Sequence, residues 1–579
     1  MQYQERYEDW LHNPYFDEMT RQELAALDGN EKEKEDRFYT DLAFGTGGLR
    51  GIIGAGTNRI NIYTIRRVTQ GLADYILSEG ENAKNQGVAI AFDSRLHSDT
   101  FALEAALVLT GNGIRVFLFD ELRPTPELSF SVRTLKTIAG IVITASHNPA
   151  QYNGYKVYWE DGGQIPPERA DEVLNRINAI KDYSLILRMS EEDAREKKLL
   201  FTIGEDIDRK YLDAVKTLCI QPELLKKAGK DFKLVYTPLH GSGNKLVRRI
   251  LSEVGLSNVI VVKEQELPDP AFPTVKSPNP EEREAFTIAI ALAESLDIDL
   301  IIGTDPDCDR VGVVVRDTQG AYVVLTGNQI GCLLLHYILS QKKAMGMLPN
   351  DGRVIKTIVT TEMARKICED FQVEIIDVLT GFKFIGEKIQ EFEDVGWGHY
   401  LFGFEESYGY LAGTFVRDKD GVITSMLVAE TAVYYQSKGL SLYEGLQELF
   451  KQYGYFKEKL TSFTLQGKEG VEKIIKIMEN LRIQTPACFG NRKIVGVRDY
   501  KNSQRKDLIL GKIEALSLPS SDVLYFEIED GSWVCVRPSG TEPKIKIYFA
   551  VQRESEESSV QALEYLEHSV LEQIQALID

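Results

Sequence analysis

The run GVAIAFDSRLHSDTFALEAALVLTGNGIRVFLFD, residues 87–120, reads as a strand, a helix and a second strand. GVAIAFDS, Gly87 to Ser94, is apolar over the length of a strand. Ser98 or Asp99 is placed to cap the helix; Phe101, Leu103, Ala105, Ala106, Leu107 and Leu109 form its apolar surface, and Gly111 and Gly113 lie past its end. IRVFLFD, Ile114 to Asp120, supplies the next strand, Pro124 and Pro126 mark a loop, and GIVIT, Gly140 to Thr144, is a further strand running into polar sequence. Strands alternating with helices specify a sheet with crossover helices, whose strand-end loops are the usual ligand sites.

The unit recurs. KLVYTPLHG (233–241) leads through GNKLVRRILSEVGL, where Leu246, Ile250 and Val254 share a helical face, into NVIVV (258–262). RVIKTIVT (353–360) leads through TEMARKICEDF into VEIIDV (373–378). Units starting near 88, 233 and 354 predict three similar mixed-sheet α/β domains. From about 455 the pattern changes to one helix-like run, GVEKIIKIMENL (470–481), the short strands KIVGV, VLYFEI, WVCVRP and KIKIYFAV, and a terminal helix. This predicts a smaller C-terminal α+β domain closing over the other three. The domains expected are 1–205, 206–322, 323–454 and 455–579, and 579 residues at about 150 per domain make nearly four. A polar N-terminal extension containing TRQEL and EKEKEDR precedes the first unit.

Composition narrows the function. With 67 Lys+Arg against 87 Asp+Glu the net charge is −20, and no long basic run offers a nucleic-acid footprint. Local basic pockets remain compatible with small phosphorylated molecules. The six cysteines form no CxxC pair, which fits a reducing compartment. No apolar run approaches the roughly 20 residues of a membrane span, and the N-terminus lacks a secretory pattern, so a cytoplasmic protein with no membrane partner is expected.

Four segments carry chemistry. TASHNP (144–149) leaves a strand with hydroxyl, imidazole and amide side by side. DPDCDR (305–310) spaces Asp305, Asp307 and Asp309 at alternate positions, which gathers three hard oxygen ligands suited to Mg²⁺ with phosphate oxygens completing the shell. It is not an EF-hand, because Arg310 and Arg316 stand where Gly and Glu are required. GFEESYG (403–409) offers a carboxylate and a hydroxyl that can read vicinal hydroxyl groups. RPSGTEPK (537–544) offers a bidentate arginine, two hydroxyls and a glycine that lets backbone N–H groups approach an anion. FGTGGLRG (44–51) is no dinucleotide fingerprint, since it lacks the preceding strand and the spacing.

TASHNP with NGYKVY beginning at Asn153, followed in order by the aspartate, GFEESYG and RPSGTEPK segments, resembles the alpha-D-phosphohexomutases, the phosphoglucomutase and phosphomannomutase family. The N-terminal region and FGTGGLRGIIGAGTNRIN are most similar to the branch containing long bacterial phosphoglucomutases and enzymes acting on hexose and pentose phosphates. The resemblance implies four domains around a central cleft and a serine, Ser146, that is phosphorylated in the resting enzyme. It implies catalytic roles for His147, Lys156, Arg50 and Arg310, with Lys383 of TGFKFIG (380–386) a further acid/base candidate. The implied metal set is Asp305, Asp307 and Asp309 with Ser146. Glu405 and Ser407 would read sugar hydroxyls, and Arg537, Ser539, Gly540 and Thr541 would hold the non-transferring phosphate. TPLHGSG (237–243) is also family-like and adds His240 to the substrate set.

Some relatives place a histidine after the serine and glycine of the sugar loop. This chain reads Ser407-Tyr408-Gly409-Tyr410 there, so that base cannot be assigned. The implied reaction interconverts glucose 1-phosphate and glucose 6-phosphate through phosphoserine and glucose 1,6-bisphosphate, with Mg²⁺ as cofactor. Phosphopentomutase, phosphomannomutase and glucose 1,6-bisphosphate synthase are the alternatives. A non-enzymatic sugar-phosphate-binding regulator is disfavoured, because it has little use for a nucleophile beside a metal loop. Oligomeric state is left open.

Overall fold

The computed structural model describes residues 2–45, 47–465, 467–539 and 544–578. Three sheets repeat one four-strand order. In the first, Val88–Phe92 lies parallel between Val116–Phe119 and Ala139–Ile143, and Tyr152–Trp159 pairs antiparallel beyond the latter. In the second, Lys233–Thr237 lies parallel between Asn258–Val261 and Leu300–Thr304, with Val311–Arg316 antiparallel beyond. In the third, Gly352–Thr357 lies parallel between Glu374–Val378 and His399–Glu405, with Gly409–Leu411 antiparallel beyond. Gly48–Ile52 and Leu200–Ile203 extend the first sheet, and Tyr322–Val324 extends the second.

The central strands are apolar because helices cover both faces, so no face needs polar residues; Val88, Ala89, Ile90 and Ala91 are fully buried. The repeat has a direct consequence for the site. In each copy the loop joining the third strand to its antiparallel neighbour carries a predicted motif: TASHNP in the first, DPDCDR in the second and ESY in the third. Each of these loops also holds one non-glycine residue in the left-handed region, at Ser146, Cys308 and Tyr408. The threefold repeat thus delivers three chemically different loops in one equivalent position.

The helix Gly421–Ser437 is buried on nearly every side and packs against Gly243–Glu253, Pro222–Ala228 and Gly327–Ala344, which joins the second and third units through one continuous core. The last unit is an antiparallel sheet in the order Tyr455–Thr464, Lys544–Arg553, Trp533–Pro538, Leu524–Ile528, Arg492–Asp499, Gln504–Asp507, Ile513–Ala515. Helices Gly467–Ile483 and Glu556–Ile578 cover one face, and Tyr500, Tyr525, Trp533 and Tyr548 of the other pack on Ile358, Val359 and Leu379 of the third unit.

Two local readings change. The N-terminal extension is three helices, Gln2–His12, Glu18–Ala25 and Glu31–Phe38, closed on a core of Tyr7, Trp10, Phe16, Leu24, Phe38 and Tyr63. Ser98 and Asp99 do not cap the helix Ser98–Gly111; left-handed His97 precedes it, and the Ser98 hydroxyl instead donates to Asp93 Oδ1 at 2.8 Å.

Candidate active site

The serine loop is held from beneath. Thr144 Oγ1 donates to Asp93 Oδ2 at 2.6 Å and accepts the Ser146 N–H at 2.8 Å, which sets the left-handed turn at Ser146. Arg95, completely buried, donates to the carbonyls of Pro149, Tyr152 and Ser146 at 3.0, 3.0 and 2.5 Å and to that of Asn148, while its Nε lies 3.4 Å from Asp93. One planar fork thereby ties the two ends of the loop together. Gly154 is required by close approach: a Cβ there would stand 2.4 Å from the Thr144 carbonyl oxygen.

Ser146 points its Oγ at the second loop, donating to Asp305 Oδ2 at 2.7 Å, with His147 Nδ1 3.2 Å away. Burial, reinforced by the nearby Arg310 and Arg50 cations, holds the His147 pKa well below its usual value, so the imidazole is neutral near pH 7. Arg50, on the edge strand Gly48–Ile52, donates to Asn148 Oδ1 at 3.0 Å.

Asp305, Asp307 and Asp309 bring carboxylate oxygens within 4.8 Å of one another, all buried. Asp305 Oδ1 accepts the backbone N–H groups of Asp309 and Arg310 at 3.1 and 3.0 Å. Oδ1 of Asp307 and Oδ1 of Asp309 are buried without a hydrogen-bond partner among the described residues. Two unsatisfied carboxylate oxygens beside a third carboxylate are costly unless a cation meets them, so these residues fit a hard divalent metal.

Cations already ring the cluster. Lys156 Nζ lies 2.9 Å from Asp307 Oδ2 and 3.4 Å from Asp309 Oδ2, and Lys419 Nζ lies 3.1 Å from both Asp309 Oδ2 and Asp418 Oδ1. Burial opposes charge on Asp307, yet Lys156 and Lys419 hold its carboxyl well below the carboxylate range. Thr125 Oγ1 donates to Asp307 Oδ2 at 3.1 Å, and Arg310 pairs with Glu281.

The third loop places Glu405, which accepts the Gly381 N–H at 2.8 Å; burial and neighbouring Glu406 raise its pKa to about 7. Ser407 is half-buried at the turn. Arg537 donates to Thr380 Oγ1, so the arginine of the last unit meets the segment that also supports Glu405. Ser539 closes its hairpin through its N–H to the Lys544 carbonyl at 2.7 Å. Gly540 and Thr541 lie outside the described residues. Lys383, on the helix Phe382–Val395, sits 4.9 Å over the Phe384 ring, and burial lowers its pKa.

Thus Ser146, His147, Arg50, Lys156, Arg310 and the three aspartates converge, and Glu405 and Arg537 meet along the Thr380–Gly381 segment. His240 is corrected. Its ring nitrogens lie 3.1 Å from the Leu267 carbonyl and 2.9 Å from Thr274 Oγ1, so it organises its own loop and offers no free ring nitrogen to a substrate.

Sequence reasoning missed Asp93 and Arg95, Lys419, and Lys546. Lys546 stands opposite Arg537 in the last sheet, and burial followed by the charge of Arg537 lowers its pKa. The alternation of charge in Arg417-Asp418-Lys419-Asp420, just before an apolar helix, was the available signal for Lys419, because Asp420 caps that helix and fixes its neighbour. The arrangement offers a buried nucleophile beside a metal-competent cluster at one pole and a cationic pair at the other.

Comparisons with known proteins agree with this layout. Family models described as phosphoglucomutase/phosphomannomutase alpha/beta/alpha domains I, II and III match residues 41–184, 209–320 and 326–453, and the corresponding C-terminal domain matches 492–566. A phosphoglucomutase from Staphylococcus haemolyticus is 39% identical over 90% of this chain and 92% of its own. One from Staphylococcus saprophyticus subsp. saprophyticus is 37% identical over 92% and 95%. Among solved structures, parafusin, a phosphoglucomutase from Paramecium, superposes with a TM-score of 0.68 at 18% identity, covering 92% of this chain and 96% of its own. A phosphoglucomutase/phosphomannomutase family protein from Burkholderia thailandensis gives 0.64 at 18% identity, covering 92% and 97%.

Proposed function

The chain belongs to the phosphoglucomutase/phosphomannomutase family and is an isomerase of the phosphoglucomutase type; on that premise we propose that its substrates are glucose 1-phosphate and glucose 6-phosphate, with Ser146 as the phosphoryl carrier. The observation that carries this reading is Ser146 Oγ, 2.7 Å from Asp305 in a buried three-aspartate cluster ringed by Lys156, Lys419 and Arg310. Phosphorylated Ser146 gives its phosphoryl group to the free C6 hydroxyl: the Oγ–P bond breaks, the O6–P bond forms, and the hydroxyl proton passes to a basic side chain. Glucose 1,6-bisphosphate then turns over within the cleft. Its O1–P bond breaks, Oγ–P forms again, O1 gains a proton, and glucose 6-phosphate leaves.

Asp305, Asp307 and Asp309, with an oxygen on Ser146, would hold Mg²⁺, which when bound neutralises charge on a transferring phosphoryl group. Arg50, Lys156 and Arg310 add fixed positive charge around the same group. Neutral His147 and Lys383, whose ammonium burial disfavours, are the proton carriers we assign, while Lys419, paired with Asp309 and Asp418, keeps its proton and adds to the fixed positive charge. Glu405 and Ser407 read the sugar hydroxyls, while Arg537, Ser539, Gly540 and Thr541 take the non-transferring phosphate, alternately the C1 and the C6 phosphate as the intermediate turns. We place the domain limits at 1–205, 206–322, 323–454 and 455–579; the first, third and fourth sheets fall within them, while the edge strand Tyr322–Val324 of the second crosses the limit at 322. A cytoplasmic setting is consistent with six unpaired cysteines and with no described helix long and apolar enough to cross a membrane.

The test is kcat/KM for glucose 1-phosphate, mannose 1-phosphate and ribose 1-phosphate, with Mg²⁺ and a trace of glucose 1,6-bisphosphate. Preference for glucose 1-phosphate is expected. Preference for ribose 1-phosphate moves the chain to the pentomutase alternative.

A further inference from the structure

Away from the cleft, the last sheet ends in an unusual edge. The hairpin formed by Gln504–Asp507 and Ile513–Ala515 exposes Leu508, Ile509, Leu510 and Ile513, the last two at 67% and 63%. The tip is well ordered: the Asp507 carboxylate accepts the N–H groups of Ile509 and Leu510 at 2.9 and 2.8 Å, and Gly511 N–H donates to the Asp507 carbonyl at 3.0 Å. Four aliphatic side chains are therefore presented in a fixed geometry to solvent. Ile513–Ala515 is the terminal strand, and among the described residues no strand pairs with its outer side.

The direction of its backbone groups follows from the ladder. Asp507 N–H donates to the Lys512 carbonyl and Leu516 N–H to the Ser503 carbonyl, each at 2.9 Å. Hydrogen-bonded and non-bonded positions alternate in an antiparallel pair, so Lys512, Glu514 and Leu516 turn their backbone groups inward. Ile513 and Ala515 turn theirs outward. A second antiparallel strand related by a two-fold axis at Ile513 would exchange both hydrogen bonds between the two Ile513 residues. The same axis sets Lys512 opposite the partner's Glu514, and Glu514 opposite the partner's Lys512. Directly opposite charges of unlike sign favour such a pairing, and like charges oppose it.

We infer that this edge is a self-association surface whose occupant is a second copy of the chain, paired antiparallel about Ile513 with the Leu508–Leu510 tips covered beside the axis. The self-complementary register is what an isologous two-fold contact requires, and an unrelated partner has no reason to match it. A three-residue strand with a small aliphatic patch makes a weak, reversible contact. The pairing also meets the danger of an unprotected edge, because two copies close it.

The experiment is sedimentation velocity on the full chain across the micromolar range, for the wild type, Ile513→Asp, Lys512→Glu, Glu514→Lys and the double reversal. The wild type should pass from one chain to two as concentration rises. Ile513→Asp, which sets two carboxylates on the axis, should weaken association by about tenfold or more, and each single reversal by several-fold. The double reversal should restore wild-type association. Glu514 also meets Arg505 of its own chain at 3.2 Å, but the double variant lacks that contact too, so recovery cannot come from restoring it. Turnover should be unchanged throughout. A wild type that sediments as one chain at every concentration, a dimer indifferent to Ile513→Asp, or a double reversal no better than the singles would each overturn the inference.

Discussion

Arg95→Lys isolates the geometry of the serine loop from its charge. The lysine keeps a cation near Asp93, whereas the planar fork that reaches four loop carbonyls is lost. A lysine ammonium at that depth can serve about two of them. Hydrogen bonds to a charged donor are worth about 1.5–3 kcal/mol each, so losing two costs about 3–6 kcal/mol, reduced toward the lower figure as water enters. That is a large share of the roughly 5–15 kcal/mol that stabilises a domain. The kinetic effect follows from the same contacts, because Arg95 fixes the Ser146 carbonyl directly, and a misplacement of about 1 Å lowers a rate by about 100-fold. Glu405 and Arg537, the proposed substrate contacts, stand on strands of other sheets, so substrate affinity should hardly change. The assay is mutase turnover coupled to glucose 6-phosphate oxidation, together with urea unfolding. The expected result is kcat down about 100-fold, KM within about twofold, and an unfolding midpoint clearly below wild type. Wild-type stability with kcat reduced less than about threefold, or a loss confined to KM, would refute this role for Arg95.

Three further outcomes follow from the structure. Arg537→Ala should raise KM for both sugar phosphates by about tenfold or more, since the proposed charge-assisted contact to the non-transferring phosphate is removed at both poses of the substrate; the measurement is KM in each direction, and an unchanged pair would contradict the assignment. Removing divalent metal with a chelator should abolish turnover and Mg²⁺ should restore it, whereas metal-independent turnover would contradict the role given to the two unsatisfied aspartate oxygens.

His336 is held by burial at a pKa of about 4 against 6.5 in a peptide, so the unfolded chain binds more protons between those values. Its contribution is present above about pH 6.5, falls as pH drops toward 4, and amounts to about 2 kcal/mol between about pH 7.5 and about pH 5. His336→Phe, which suits the neighbouring Phe371 and Tyr453 rings, should flatten that part of the urea-stability profile; an unaltered slope would contradict the assignment.

The candidate loops were legible because each is a local sequence feature set beside strands that alternate with helices. Ser146, the three aspartates and Glu405 lie in or next to such loops, whose equivalence emerges only from the sheet topology, whereas Arg537 lies in the strand Trp533–Pro538 of the last sheet. What escaped depends on tertiary contact. Asp93 and Arg95 act from below a loop lying fifty residues onward, and nothing in AFDSR marks them as its support. Tyr7, Trp10, Phe16 and Phe38 become a core only when three short polar helices close on Tyr63. The strands Gln504–Asp507 and Ile513–Ala515 are short and partly charged, so alternation gave no clear signal. His240 misled in the opposite direction, since its loop places a histidine beside the metal loop while both ring nitrogens are occupied within the loop's own surroundings.

The most direct measurement is the intact mass of the purified chain and its Ser146→Ala variant, each incubated with glucose 1,6-bisphosphate and then with glucose 6-phosphate in excess. The wild type should gain one phosphoryl group, mapped to Ser146, and lose it to the sugar, while the variant stays folded, unmodified and inactive. Turnover by the Ser146→Ala variant, or wild-type turnover with Ser146 never phosphorylated, would contradict a phosphoserine mechanism.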